Sequence, residues 1–328
     1  MAIALGDPIP YIIAMHREKV ASPFLLFALP LLLISLASCS SLAIRAVSGV
    51  LAGGGEGSVF TTDDDTELVR DALPFALKTY EALLEADPRN DALALATARA
   101  FAGYAFAFVQ IPADQLPMDQ VDRQVAMHAR ARKLFLRARD YALRGLEIRR
   151  QGFAAALEQK GPVAAVKLTR PEDIDYLYWA GASWLGAFSA EPFNFSLIVT
   201  LPQAITLLQQ VEAWNDSYDR GAAHEIFISF YASAPPDLGG SEEKARAEFA
   251  RAVALSRGLS AGPYVALASS LSIKNQNEGE FRDLLDKALA VDVNAAPSQR
   301  LVNVINQQKA RWMLDHADRF FLEGQDNQ

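Results

Sequence analysis

One helix-forming spacing returns along this chain and leaves little room for another class of fold. Ala76, Tyr80, Leu83 and Pro88 stand at i, i+4, i+7 and i+12. The i, i+4, i+7 part recurs as Ala131/Phe135/Ala138, Ala204/Leu208/Val211, Ala245/Phe249/Ala252 and Phe281/Leu285/Ala288. Such intervals gather three side chains on one face of an α-helix. Small residues on that face let a second helix come close, and the aromatic or Leu fills the gap. No alternation of β-branched residues is long enough for a sheet. An all-α chain is expected.

The segments pair into hairpins. Helix 66–87 opens the array, with Pro74 kinking or breaking it and Asp64 and Glu67 forming a capping box. Helix 91–110 pairs with 120–149, 172–190 with 202–214, 217–233 with 241–257, and 262–276 with 278–290, and 297–323 closes the stack. Pro112, Pro117, Pro192, Pro235-Pro236, Gly239-Gly240 and Gly262-Pro263 punctuate the turns. Residues 150–171 read as a longer connection. The spacing that ends in Pro88 is that of the second helix of a tetratricopeptide repeat, so the expected fold is an α-solenoid of tetratricopeptide-like helical hairpins over 66–328. No hairpin of this kind buries its apolar face alone, and stability comes from stacking.

The amino-terminal segment carries a different signal. Cys39 is the only cysteine and closes Leu36-Ala37-Ser38-Cys39, the pattern of a lipobox. His16-Arg17-Glu18-Lys19 is a charged n-region, and the apolar run Phe24–Leu36 is too short for the ~20 residues of a spanning helix. Residues 1–38 are expected to be a lipoprotein signal peptide, with Met15 as the expected initiator. Cys39 would be lipidated, and residues 39–65 would form a tether containing Gly53-Gly54-Gly55. More than one acyl chain is needed for stable anchoring, which a triacylated cysteine supplies. Ser40, where Asp would signal inner-membrane retention, favours the outer membrane.

Composition narrows the function. The chain is 51% hydrophobic, enough for a core, and its net charge of −8 argues against nucleic acid. With the one thiol acylated, no cysteine remains for a metal or a disulfide. The histidines are scattered, no Gly-x-Ser-x-Gly is present, and no cofactor, metal site or catalytic constellation is expected. Candidate ligand or partner contacts are Tyr176, Trp179 and Trp184 on one helix, with Tyr218, His224 and Tyr231 on another; each has a packing reading beside it. Tyr176 and Trp179 should share a face, as should Trp184 and Phe188. Arg123, Arg130, Arg137 and Arg144 recur every seven residues and form a basic strip, either a docking surface for an acidic partner or a solvated helix face.

The order and spacing of several further segments carry a resemblance. They include Asp63-Asp64-Asp65, Ala72-Leu73-Pro74-Phe75-Ala76-Leu77-Lys78, Tyr178-Trp179-Ala180, Gly221-Ala222-Ala223-His224-Glu225 and Pro263-Tyr264-Val265. Over roughly residues 36–323 the chain resembles the T component (TatT) of tripartite ATP-independent periplasmic (TRAP) transporters. The resemblance implies a periplasm-facing lipoprotein with tetratricopeptide-like repeats that works with a periplasmic solute-binding protein. It also implies homo-oligomers, trimers in particular, and an apolar or organic-acid ligand. The rival expectation is an outer-membrane-associated tetratricopeptide scaffold for envelope assembly, because fold alone does not separate the two roles.

Overall fold

The computed structural model describes residues 58–322, all of which belong to one compact unit. Cys39, the signal segment and the glycine run lie outside the described residues. Among the described residues every regular element is helical. The α-helices are α1 (Thr66–Ala86), α2 (Asp91–Asp114), α3 (Val121–Arg149), α4 (Phe153–Gln159), α5 (Pro162–Val166), α6 (Ile174–Ala190), α7 (Phe195–Val199), α8 (Leu201–Trp214), α9 (Ala222–Ser233), α10 (Glu242–Ser256), α11 (Gly262–Leu267), α12 (Glu278–Leu289) and α13 (Arg300–Asp315). Helix α2 widens into a π-helical turn over Phe106–Gln110, and α11 runs on into another over Ala268–Ser272.

Neighbours in sequence are neighbours in space. Helix α3 lies between α2 and α6, α6 packs on α8, α9 on α10 and α11, and α12 on α11 and α13. The repeating spacing is the reason. Ala131, Phe135 and Ala138 are buried, as are Ala204, Leu208 and Val211, and Phe281, Leu285 and Ala288. Helix α1 departs from it: its buried stripe is Leu73, Leu77, Tyr80 and Leu84, while Ala76 and Leu83 are only half-buried. Glycines bring α6 closer still. A Cβ at Gly181 would lie 2.7 Å from Leu208 Cγ and 3.0 Å from the Ala204 carbonyl oxygen, and one at Gly186 would lie 2.7 Å from the Phe135 ring. Helix α2 is long and apolar enough to cross a membrane, yet 61% of its most apolar window is buried against neighbouring helices, as befits a core helix.

Several local expectations are corrected. Helix α1 runs unbroken through Pro74. Its cap is Asp65, not Asp64: the Asp65 carboxylate accepts from the amides of Glu67 (3.1 Å) and Leu68 (2.9 Å). The connection 150–171 holds α4 and α5. Helix α9 starts at residue 222, not 217, because Asp219, Arg220 and Gly221 all take positive φ and break the path. Residues 58–65, expected in the tether, are instead tied to the far end of the chain. The Leu301 amide donates to the Thr61 carbonyl (3.0 Å), Arg300 Nη1 to the Thr62 carbonyl (3.0 Å), and Gln308 Nε2 to Thr66 Oγ1 (3.1 Å).

One buried charge joins three elements. Asp173 is fully buried and accepts from Arg149 Nε and Arg150 Nε, each at 2.6 Å; Arg149 also pairs with Asp91 at 2.9 Å. The end of α3 is thereby fixed to the starts of α2 and α6.

Replacing Gly181 with Val should overpack the α6–α8 contact. The expected cost is about 2 kcal/mol, within the range for methylenes forced into a filled core. A urea midpoint unchanged from that of the parent would show that the approach of α6 to α8 is not close.

Candidate functional site

The helices line a partly open cavity of about 1420 Å³. That exceeds the roughly 300–1,000 Å³ usual for a small-molecule pocket. Its wall draws on residues 58–61 and on α1, α2, α3, α6, α9, α11 and α13. Much of the surface is apolar, with Phe106, Trp179, Phe188, Ile226, Phe230 and Ile305 among the contributors. Both π-helical turns face it, through Phe106 and Phe108 on one and Ser269 on the other. Extra residues of this kind re-aim side chains and recur at functional sites.

Charged groups interrupt the apolar wall. Arg99 pairs with Asp175 at 2.8 Å, and the Tyr218 hydroxyl donates to the same carboxylate at 2.5 Å. Burial pushes the Tyr218 hydroxyl's pKa well up, so it stays a donor. Asp219 accepts from Gln299 Nε2 at 2.8 Å. Burial also raises its pKa, against the opposing charges of Arg220 and Arg99.

Asp114, Glu225 and Lys309 form a second charged group on the wall. Among the described residues, Lys309 Nζ has no carboxylate within 4.0 Å and no hydrogen-bond partner. Burial lowers its pKa, while Asp114 and Glu225 act in the opposite sense. Burial raises Asp114, and it pushes Glu225 up to about 7 with the help of Asp219's charge. Gly262 makes room for Glu225, since a Cβ there would collide with its carboxylate. An apolar chamber holding an ammonium without a bound counter-oxygen can accept the acidic head of an otherwise apolar molecule.

The expected contact residues separate into two sets. Trp179 and Tyr218 line the cavity. Tyr176 does not: its hydroxyl donates to Asp91 Oδ2 (3.0 Å) and the Arg149 guanidinium lies over its ring (5.1 Å). Trp184 donates through Nε1 to Thr200 Oγ1 (3.0 Å) beneath Arg139, whereas Phe188 reaches the cavity. Side-chain direction therefore divides both pairs expected to share a face. Tyr231 stacks on Phe227 under Lys244. His224 turns away from the cavity to Glu212, Asp216 and Glu248.

The basic strip is partly spent inside the fold. Arg137 pairs with Glu81 and covers Phe101, Arg144 Nη2 donates to the Pro88 carbonyl (2.7 Å), and Arg130 lies over Tyr104. Arg123 is exposed and bonds to Gln120, the residue just before its own helix. Helix α3 thus uses several of these arginines to hold α1 and α2.

Spacing alone missed Lys309, Glu225, Asp114 and Arg99. One signal was present: Lys309 continues Val302, Ile305 and Asn306 on one helical face, a cation where an apolar residue would ordinarily stand.

The Glu225 carboxyl binds its proton more tightly in the fold than in the unfolded chain. That stabilisation is complete below about pH 4.5 and is lost as the pH rises through about 7. Glu225→Gln should flatten this dependence and make the protein more stable than the parent at pH 8. The gain should be on the order of 1–3 kcal/mol, from ~1.4 kcal/mol per pKa unit reduced by cavity water. Equal pH slopes for the two proteins in urea unfolding would contradict the assignment.

A family model described as TRAP transporter T-component matches residues 62–321. An uncharacterized protein of Treponema pallidum (strain Nichols) is 37% identical over 270 residues, covering 81% of this chain and 83% of that protein.

Proposed function

The chain belongs to the TRAP transporter T-component family, and we propose that it is a lipid-anchored accessory component of a TRAP-type periplasmic uptake system. In this reading it binds the periplasmic substrate-binding protein and takes an apolar or organic-acid ligand in its cavity. Family membership supports the uptake role on the periplasmic side over the envelope-scaffold alternative. The observation that carries the ligand is the large apolar cavity with Lys309 on its wall. Ring faces and aliphatic side chains supply area for a hydrocarbon body, and the ammonium supplies direction for a carboxylate.

The remaining features fit the same scheme. A tetratricopeptide-like stack offers extended helix faces to a partner, and Arg123 at the open end of α3 is a candidate contact for an acidic surface. Lipidation of Cys39 would hold the body at a membrane, with the outer membrane favoured, and raise its effective concentration near the binding protein. Self-association into a homo-oligomer, possibly a trimer, would multiply these contacts. The chemistry is recognition and transfer; no bond is made or broken.

Two measurements test this. The protein mixed with the solute-binding protein of its own uptake system should sediment as a complex at micromolar concentration, and separate sedimentation would overturn the partnership. Lys309→Met should weaken a long-chain carboxylate at least ~10-fold, the lower end for a hydrogen bond to a charged group. The matching alcohol should bind within about 2-fold of its parent affinity, since it makes no comparable ionic bond. Equal effects on acid and alcohol, read by displacement of a fluorescent probe, would remove Lys309 from ligand recognition.

A further inference from the structure

The cluster around His224 lies outside the cavity and has no part in the reading above. Glu212 sits on α8, His224 on α9 and Glu248 on α10. One ligand-type atom from each falls within 4.8 Å of the other two. His224 Nδ1 is 2.5 Å from Glu248 Oε2 and 3.1 Å from Glu212 Oε1. A ring nitrogen has one in-plane site, for a proton or for a lone pair, so it serves one of these oxygens at a time. Glu212 Oε1 is the atom left over: it is buried and has no hydrogen-bond partner. The other ring nitrogen, Nε2, is 3.0 Å from Asp216 Oδ1. Asp216 is itself held by Arg251, whose Nε donates to Oδ2 at 2.7 Å.

We propose that Glu212, His224 and Glu248 form a binding site for one divalent transition-metal ion, of which zinc fits best. Imidazole nitrogen and carboxylate oxygen are both zinc ligands, and three protein ligands leave the fourth tetrahedral position to a water. Calcium and magnesium are disfavoured because they ask for six or more oxygens, and this cluster places a nitrogen at its centre. The surrounding groups also match. A metal-bound histidine ordinarily donates its second N–H to a carboxylate, which fixes the tautomer, and Asp216 anchored by Arg251 stands in that position.

The dimensions are compatible. Bonds of about 2.0–2.2 Å to a tetrahedral ion set ligand atoms roughly 3.4 Å apart, so each carboxylate oxygen has to move away from His224 Nδ1 by about 1 Å or less. The side chains of Glu212, His224 and Glu248 are 21%, 8% and 20% exposed, shielded from bulk water but close enough to the surface for an ion to enter. The charge argues in the same direction. Three carboxylates meet one imidazole and one guanidinium, which leaves a surplus of negative charge in a half-buried space. A bound ion would pin α8, α9 and α10 together. Successive helix residues diverge by ~100°, so α9 would offer His224 to the metal on one side and Glu225 to the cavity on the other.

Full-length protein, stripped with a chelator and titrated with zinc chloride against a chromogenic competitor, tests the site. One zinc per chain is expected, with micromolar or tighter affinity and little displacement by a large excess of magnesium. Glu212→Gln and Glu248→Gln should each weaken binding at least 10-fold. Arg251→Met should weaken it by about 10-fold, the low end for outer-shell partners of metal sites. X-ray absorption on the zinc-loaded parent should show one imidazole with oxygen ligands and no sulfur, a readout that does not depend on any variant folding. Absence of saturable zinc binding, a sulfur-containing shell, or undiminished binding by both glutamine variants with parental circular dichroism would overturn the proposal.

Discussion

The bonds between the Thr61 and Thr62 carbonyls and the first residues of α13 bring the two ends of the described chain together beside one cavity. Together with the bonds from Gln308 to Thr66 (3.1 Å) and from Arg319 Nη2 to the Leu116 carbonyl (2.8 Å), they join the late helices to the early part of the array, and α2, α6 and α13 contribute to one cavity wall. With them, the loop at residues 58–61 becomes part of the cavity wall. The bond lies where it satisfies two needs. Leu301 is in the first turn of α13, and its amide has no acceptor within its own helix. The Thr61 carbonyl belongs to an irregular segment that has no ladder to join.

Burial along the cavity wall sets the chemistry. In open water Lys309, Glu225 and Asp114 would be ordinary surface charges. Against the cavity wall, burial lowers the lysine's pKa and raises those of both acids, so each is held at a cost that a complementary group would relieve. The outer face of α9 works differently. There His224 is ringed by carboxylates, and the hydrogen bond with Glu248 together with the charges of Glu212 and Glu248 raises its pKa against the effect of burial. One short helix thus separates a predominantly apolar chamber from a strongly anionic pocket.

The repeating small-aromatic spacing made the all-α class and most hairpin partners legible, because burial of one helix face is a local property of sequence. Phe135 could be read as a gap filler, and it packs where Gly186 leaves space for it. Closure was not legible, since no pattern in Thr61 or Leu301 indicates that they meet across most of the chain. The aromatic candidates were half legible. Trp179 and Tyr218 face the cavity, but Tyr176 is drawn to Asp91 and Trp184 to Thr200. These choices depend on partners distant in sequence. The arginine period in α3 was real, but Glu81 and the Pro88 carbonyl, which take up Arg137 and Arg144, lie on or next to another helix.

Hydrogen exchange at the amide of Leu301 tests closure most directly. Its only acceptor across the gap is the Thr61 carbonyl at 3.0 Å. The account predicts exchange as slow as that of amides within the body of α13. Exchange at the rate of an open helix terminus, with the rest of α13 protected, would mean that the two ends do not meet and that the cavity lacks the wall on which the proposed ligand recognition rests.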